Sequence, residues 1–127
     1  MTAVARDLGA GRIVVLDHVP RRLEVARAFG ADDTIDLSRE CAAAQRIARV
    51  KELTDGWAAD VVAEVSGSAD AWNEGLEMTG RGGTYLSMGA IVPDMACAIV
   101  PADVIRPGKR IIGVASSKPL SSSGANW

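Results

Sequence analysis

A chain of 127 residues, 48% hydrophobic and 24% charged with a formal net charge of −2, has room for one modest core and one domain at most. It carries no basic excess, and its single phenylalanine and single tyrosine leave little for base stacking, which argues against a nucleic-acid partner. The apolar runs are too short to span a membrane and the N-terminus lacks a signal core, so no membrane association is expected and the cytoplasm is the expected location.

Thr2 to Leu8 reads as the last turns of a helix stopped by Gly9-Ala-Gly11, since glycine just past a helix end takes the left-handed cap. Gly9-x-Gly11 is not a phosphate loop, because it precedes a strand, whereas the nucleotide fingerprint follows one and opens a helix. Arg12-Ile-Val-Val-Leu-Asp17 then predicts a strand buried on both faces, with a carboxylate at its end. A dinucleotide-binding fold places its ribose-holding acid there, although an aspartate also begins ordinary strand-to-helix turns. Pro20 suits the first position of a helix with Leu23, Val25, Ala26 and Phe29 on one face and Gly30 at its end. Arg21 and Arg22 lie in its first turn, against the helix dipole, which fits either a phosphate or ribose partner or simple solvation.

Asp33 to Leu37 is a short second strand, and Ser38 is the expected N-cap of a helix running to about Thr54. Its apolar face is Ala43, Ala44, Ile47, Val50 and Leu53, and Asp55-Gly56 closes it. Ala59 to Val65 predicts a third strand, with Ser66-Gly67 as a tight exit and Ser68 capping a helix from Ala69 to Met78. Gly80 to Gly83 reads as a turn before a fourth strand, Thr84 to Met88, which leaves through Gly89-Ala90. Residues 91 to 108 contain three prolines and show no helical period, so an extended or irregular crossover is expected. Arg110 to Val114 is a fifth strand, and the Ser-rich residues 118–127 are expected to be a disordered tail.

Strands alternating with helices imply an α/β fold, a doubly wound parallel sheet that binds ligands at the carboxyl ends of its strands. Asp17, Ser66-Gly67, Met88-Gly89 and Val114 to Ser116 all fall at such ends, and the glycines and serines there would let a ligand approach the backbone. Cys41 and Cys97 stand far apart without nearby partners and read as small buried hydrophobes rather than a zinc or disulfide pattern. His18, the only histidine, has no company for metal binding. It is either an exposed turn residue or a neighbour of a bound nucleotide.

The runs Val-Ala-Arg-Asp-Leu-Gly-Ala-Gly-Arg-Ile-Val-Val-Leu-Asp and Arg-Arg-Leu-Glu-Val-Ala-Arg-Ala-Phe-Gly-Ala-Asp closely resemble the cofactor domain of zinc-type medium-chain alcohol dehydrogenases. So do Ala-Asp-Val-Val-Ala-Glu-Val-Ser-Gly, Arg-Gly-Gly-Thr-Tyr-Leu-Ser-Met-Gly and Lys-Arg-Ile-Ile-Gly-Val, and the likeness covers about residues 2 to 117. The resemblance implies an incomplete Rossmann-like domain over residues 1–117, from an oxidoreductase that moves a hydride between an alcohol or carbonyl and NAD. It also implies that Asp17 binds the adenosine ribose, because a carboxylate accepts bonds from two hydroxyls and repels a 2′-phosphate. Arg22 would lie near that ribose, and Val65, Ser66 and Gly67 would line the passage to the nicotinamide. Met88, Gly89 and Ala90, with Val114 to Ser116, would offer backbone groups to the carboxamide. Subunits would pair through residues 91–114, where Met95 to Val100 is apolar and uncharged.

By the same resemblance, the first strand, the glycine-rich turn and the zinc-bearing catalytic domain are expected to lie outside this chain. In the family's 3-2-1-4-5-6 strand order this leaves two edges unpaired. No catalytic residue and no metal ligand is expected here, and the 127-residue chain alone is expected to be inactive. A stand-alone nucleotide-binding or dimerisation module, or a non-functional truncated product, are the alternative readings.

Overall fold

The structure is a computed structural model that describes residues 1–40, 42–89, 94 and 96–114. Five helices and five strands alternate through most of it, and they fall into two compact units, Met1–Ala58 and Ala59–Trp127.

The first unit runs α1 (Thr2–Asp7), β1 (Val14–Asp17), α2 (Pro20–Ala28), β2 (Asp33–Asp36) and α3 (Ala43–Leu53). β1 and β2 pair in parallel, with Val14 opposite Asp33 and Asp17 opposite Asp36. Ile13, Leu23, Ala26, Ile35, Ile47, Val50 and Leu53 are buried, matching the apolar positions at helical and strand spacing. Gly9 takes a positive φ of 87° as the expected cap of α1. Arg6 fastens α1 to the loop before β2: its guanidinium donates to the carbonyls of Ala10 and Gly30, each at 2.8 Å, and to the Asp32 carboxylate. The Ile13 backbone N–H and Arg6 together hold the Asp32 carboxyl below its ordinary pKa.

Four expectations fail in this unit. Ala43 and Ala44, expected on the apolar face of α3, are exposed, because they lie in its first turn, ahead of the buried Ile47, Val50 and Leu53. β1 was expected to be buried on both faces, yet its four residues are only half-buried, because among the described residues it hydrogen-bonds to β2 alone and one edge has no flanking strand. Val25 and Phe29, placed on the inner face of α2, are exposed. Ser38 does not cap α3; the Asp36 carboxylate accepts both its N–H (2.9 Å) and its hydroxyl (2.6 Å), and the helix starts only after Ala42. A carboxylate two residues upstream captures the serine in a turn before it can cap a helix.

The second unit comprises β3 (Ala59–Glu64), α4 (Ala69–Met78), β4 (Thr79–Ser87), α5 (Pro101–Ile105) and β5 (Arg110–Gly113), with strand order β3-β4-β5, all parallel. Ser68 caps α4 as expected, accepting from Ala71 N–H at 3.5 Å. The core is Trp72, Leu76 and Tyr85, with Val62, Cys97 and Val104 packed on it. The Trp72 and Tyr85 rings meet edge to face with centroids 5.1 Å apart.

Gly80 to Gly83 form no separate turn, contrary to expectation: β4 begins earlier and carries these residues as a bulge. Ala59 pairs with Thr79 and Val61 with Thr84, so one residue of β3 faces four of β4. The crossover also holds a short helix, α5, where Pro101 stands at the first turn with Asp103 beside it. β3 is more open than its apolar sequence suggested, with Val61 60% exposed, for the same reason as β1: among the described residues it hydrogen-bonds to one neighbouring strand. The architecture is therefore α/β and Rossmann-like but incomplete, with a two-stranded parallel sheet in the first unit and a three-stranded one in the second. No helix among the described residues is long and apolar enough to cross a membrane.

Candidate functional site

In the first unit the candidate site gathers at the carboxyl end of β1. Asp17 ends the strand, and its Oδ1 accepts the Val19 backbone N–H at 2.8 Å, which turns the chain into α2. Arg22, one turn into α2, brings Nη1 to 3.6 Å from Asp17 Oδ2, and His18 Nδ1 lies 3.8 Å from Oδ1. Asp17 therefore forms the turn and keeps acceptor capacity beyond it. A carboxylate has about four lone-pair sites, one of which takes the Val19 N–H, and the side chain is 21% exposed. Two vicinal hydroxyls fit such a group. Arg22 is exposed beside it and leaves the carboxylate reachable.

In the second unit the exits of β3 and β4 are drawn together around Glu64. This residue is only 6% exposed, and its Oε1 accepts three donors: Ser66 N–H (2.5 Å), Ser66 Oγ (2.7 Å) and Gly67 N–H (2.8 Å). Its main-chain carbonyl accepts from Met88 N–H at 2.9 Å and Gly89 N–H at 3.0 Å. The glycines were expected to let a ligand near the backbone. In the structure they let the two exits approach each other. A Cβ on Gly67 would stand 2.5 Å from the Gly89 carbonyl oxygen, and one on Gly89 would stand 2.4 Å from the Gly67 nitrogen. Gly67 also has a φ of 73°, open to few other residues.

Val65, exposed, projects beside this junction, and Met88 follows β4 at its rim. Val114 N–H donates to the Ser87 carbonyl at 2.9 Å, which holds the β5 exit against that of β4. Ala90 and Ser116, expected at the same ends, lie outside the described residues, as do Cys41 and the tail 118–127.

Beneath the junction, Glu64 Oε2 and the Tyr85 hydroxyl are buried without a hydrogen-bond partner among the described residues. Burial pushes the Tyr85 phenol pKa up, and the nearby Glu64 carboxylate and Cys97 push it further. Trp72 Nε1 donates to Ser87 Oγ at 3.0 Å and ties α4 to the end of β4. Sequence reasoning placed Glu64 inside a strand and assigned it no role. The available signal was a carboxylate at the strand's end with serine and glycine N–H donors two and three residues on. Among the described residues, no three His, Cys, Asp or Glu side chains form a cluster able to hold a metal ion.

Comparison with known proteins adds the family. A profile of the zinc-binding dehydrogenases matches residues 1–125. The chain is 34% identical over 116 residues to a 5-exo-hydroxycamphor dehydrogenase of Pseudomonas putida, covering 91% of this chain and 32% of that protein. It is 31% identical over 121 residues to an L-threonine 3-dehydrogenase of Bacillus subtilis, covering 94% of this chain and 33% of that one. An alcohol dehydrogenase structure from Thermotoga maritima superposes with a TM-score of 0.81 at 31% identity, over 88% of this chain and 31% of its own. The chain thus spans about a third of the length of the relatives it matches.

Proposed function

Because the chain belongs to the zinc-binding dehydrogenase family, we propose that it supplies part of the NAD-binding domain of an oxidoreductase that moves a hydride between an alcohol or carbonyl substrate and NAD. Residues 1–117 make up that part. The observation that carries the reading is Asp17: a partly exposed carboxylate at the end of a parallel strand, with acceptor capacity beyond the bond that forms its turn. Its role is to bind the 2′- and 3′-hydroxyls of the adenosine ribose and to repel a 2′-phosphate. Arg22 steadies the carboxylate by charge and flanks the same ribose. Val65, Ser66 and Gly67 line the approach to the nicotinamide. Met88 and Gly89, with Ala90, Val114 and Ser116, give main-chain groups to its carboxamide.

When bound, NAD supplies the hydride acceptor, and the chain's own part is to hold and orient it. Among the described residues no cluster of His, Cys, Asp or Glu side chains offers a zinc site. The relatives are named for unlike substrates, hydroxycamphor and threonine among them, and the class they share is an alcohol or carbonyl. A second copy of the chain is the proposed partner, through residues 91–114. β5 and the segment before it support this by leaving Ile99, Val100, Ile105, Ile111 and Ile112 exposed.

Calorimetry with NAD and NADP tests the nucleotide reading. The unaltered chain should favour NAD, and Asp17→Asn should narrow the preference by about tenfold, since each tenfold is about 1.4 kcal/mol and a hydrogen bond to a charged group contributes about 1.5–3 kcal/mol. Asparagine keeps an acceptor for Val19 N–H, so the turn survives while the charge is lost. NADP bound as tightly as NAD by the unaltered chain would overturn the reading.

A further inference from the structure

We propose that Glu64 is a positioning residue that sets the shape of the β3 exit for the nicotinamide half of the nucleotide, an inference that rests on the cofactor reading above. Glu64 acts through what it holds. One carboxylate oxygen gathers the Ser66 N–H, the Ser66 hydroxyl and the Gly67 N–H, while the carbonyl of the same residue takes the Met88 and Gly89 N–H groups. A single buried side chain and its own backbone therefore fix both strand exits. The exits touch backbone to backbone at Gly67 and Gly89, where no Cβ fits, so neither can shift without the other.

Three donors on one carboxylate oxygen are charge-assisted bonds, about twice as strong as neutral ones. They keep the Ser66 and Gly67 donors turned inward and leave Val65 projecting from the turn, exposed. A structural residue could have been apolar here, at the inward end of a strand against Tyr85. A buried carboxylate with its second oxygen unpartnered among the described residues is a costly way to stabilise a strand. Holding a polar turn in one conformation is the return for that cost.

Adenosine diphosphate ribose separates this role from general folding, because it contains all of NAD except the nicotinamide. Affinities of the full chain for NAD and for ADP-ribose are measured by calorimetry for the unaltered protein, Glu64→Gln and Glu64→Ala. Amide hydrogen exchange at Ser66 and Gly67 is followed without nucleotide. Glutamine keeps a neutral acceptor for the three donors, and alanine removes it. The NAD-to-ADP-ribose affinity ratio should fall about threefold in Glu64→Gln and tenfold or more in Glu64→Ala, with ADP-ribose binding unchanged. Exchange at both amides should rise in the same order. If Glu64→Ala does not fold, the glutamine variant decides alone. An unchanged ratio in the variants, or an equal loss of both ligands, would overturn the positioning role and leave the cofactor reading standing. An unaltered chain that binds neither ligand would overturn the cofactor reading and this proposal with it.

Discussion

Tyr85 shows how a single side chain can be indispensable in its ring and dispensable in its hydroxyl. The ring is fully buried against Trp72 and Leu76, while the oxygen is buried with no hydrogen-bond partner among the described residues. A buried polar group without a partner costs roughly 1–3 kcal/mol. Tyr85→Phe should therefore leave the stability of the second unit unchanged or raise it by up to about 2 kcal/mol, read as a denaturant midpoint. A drop in the midpoint would mean that the hydroxyl is bonded after all. Asp17 differs from Tyr85 in being legible early: an acid ending an apolar run is visible in sequence. Glu64 was not, because whether the last residue of a strand points inward depends on its pairing with β4 and on the helix that covers it.

At the scale of the element, α4 sets local preference against packing. Gly75 lies inside the helix, where alanine would be favoured by about 1 kcal/mol. A Cβ there would stand 2.8 Å from Cε2 of Tyr85, a ring with nowhere to move. Gly75→Ala should therefore destabilise the second unit, by about 1–3 kcal/mol as for other overpacked cores. The loss should shrink in a Tyr85→Leu background, which removes the clashing atom. Equal losses in both backgrounds, compared by chemical denaturation, would show that the two residues are uncoupled. The capping serines make the related point that context decides function: Ser68 caps α4, while Ser38, an equally good cap by type, is taken by Asp36.

For the whole molecule, the exposed apolar residues of the crossover and β5 bear on assembly. Ile99, Val100, Ile105, Ile111 and Ile112 are exposed, and among the described residues β5 hydrogen-bonds to β4 alone. An apolar edge of this kind invites pairing with another chain. Sedimentation should show self-association at tens of micromolar, and Ile99→Lys should shift the chain toward monomer without altering its circular dichroism. A monomer for the unaltered protein at that concentration would remove the interface.

Sequence alone determined the order of the five strands and the first four helices, the parallel pairing, the caps at Gly9 and Ser68, and the place of Asp17 at a strand end, since each rests on local periodicity or on one residue's backbone preference. Only the tertiary structure decided that Glu64 organises two strand exits, that Gly67 and Gly89 serve each other, that Gly75 makes room for Tyr85, and that α5 interrupts the crossover. These depend on contacts between residues 10 to 25 positions apart or on a turn too short to show a period. A contact between distant residues leaves no spacing to read until the chain is folded.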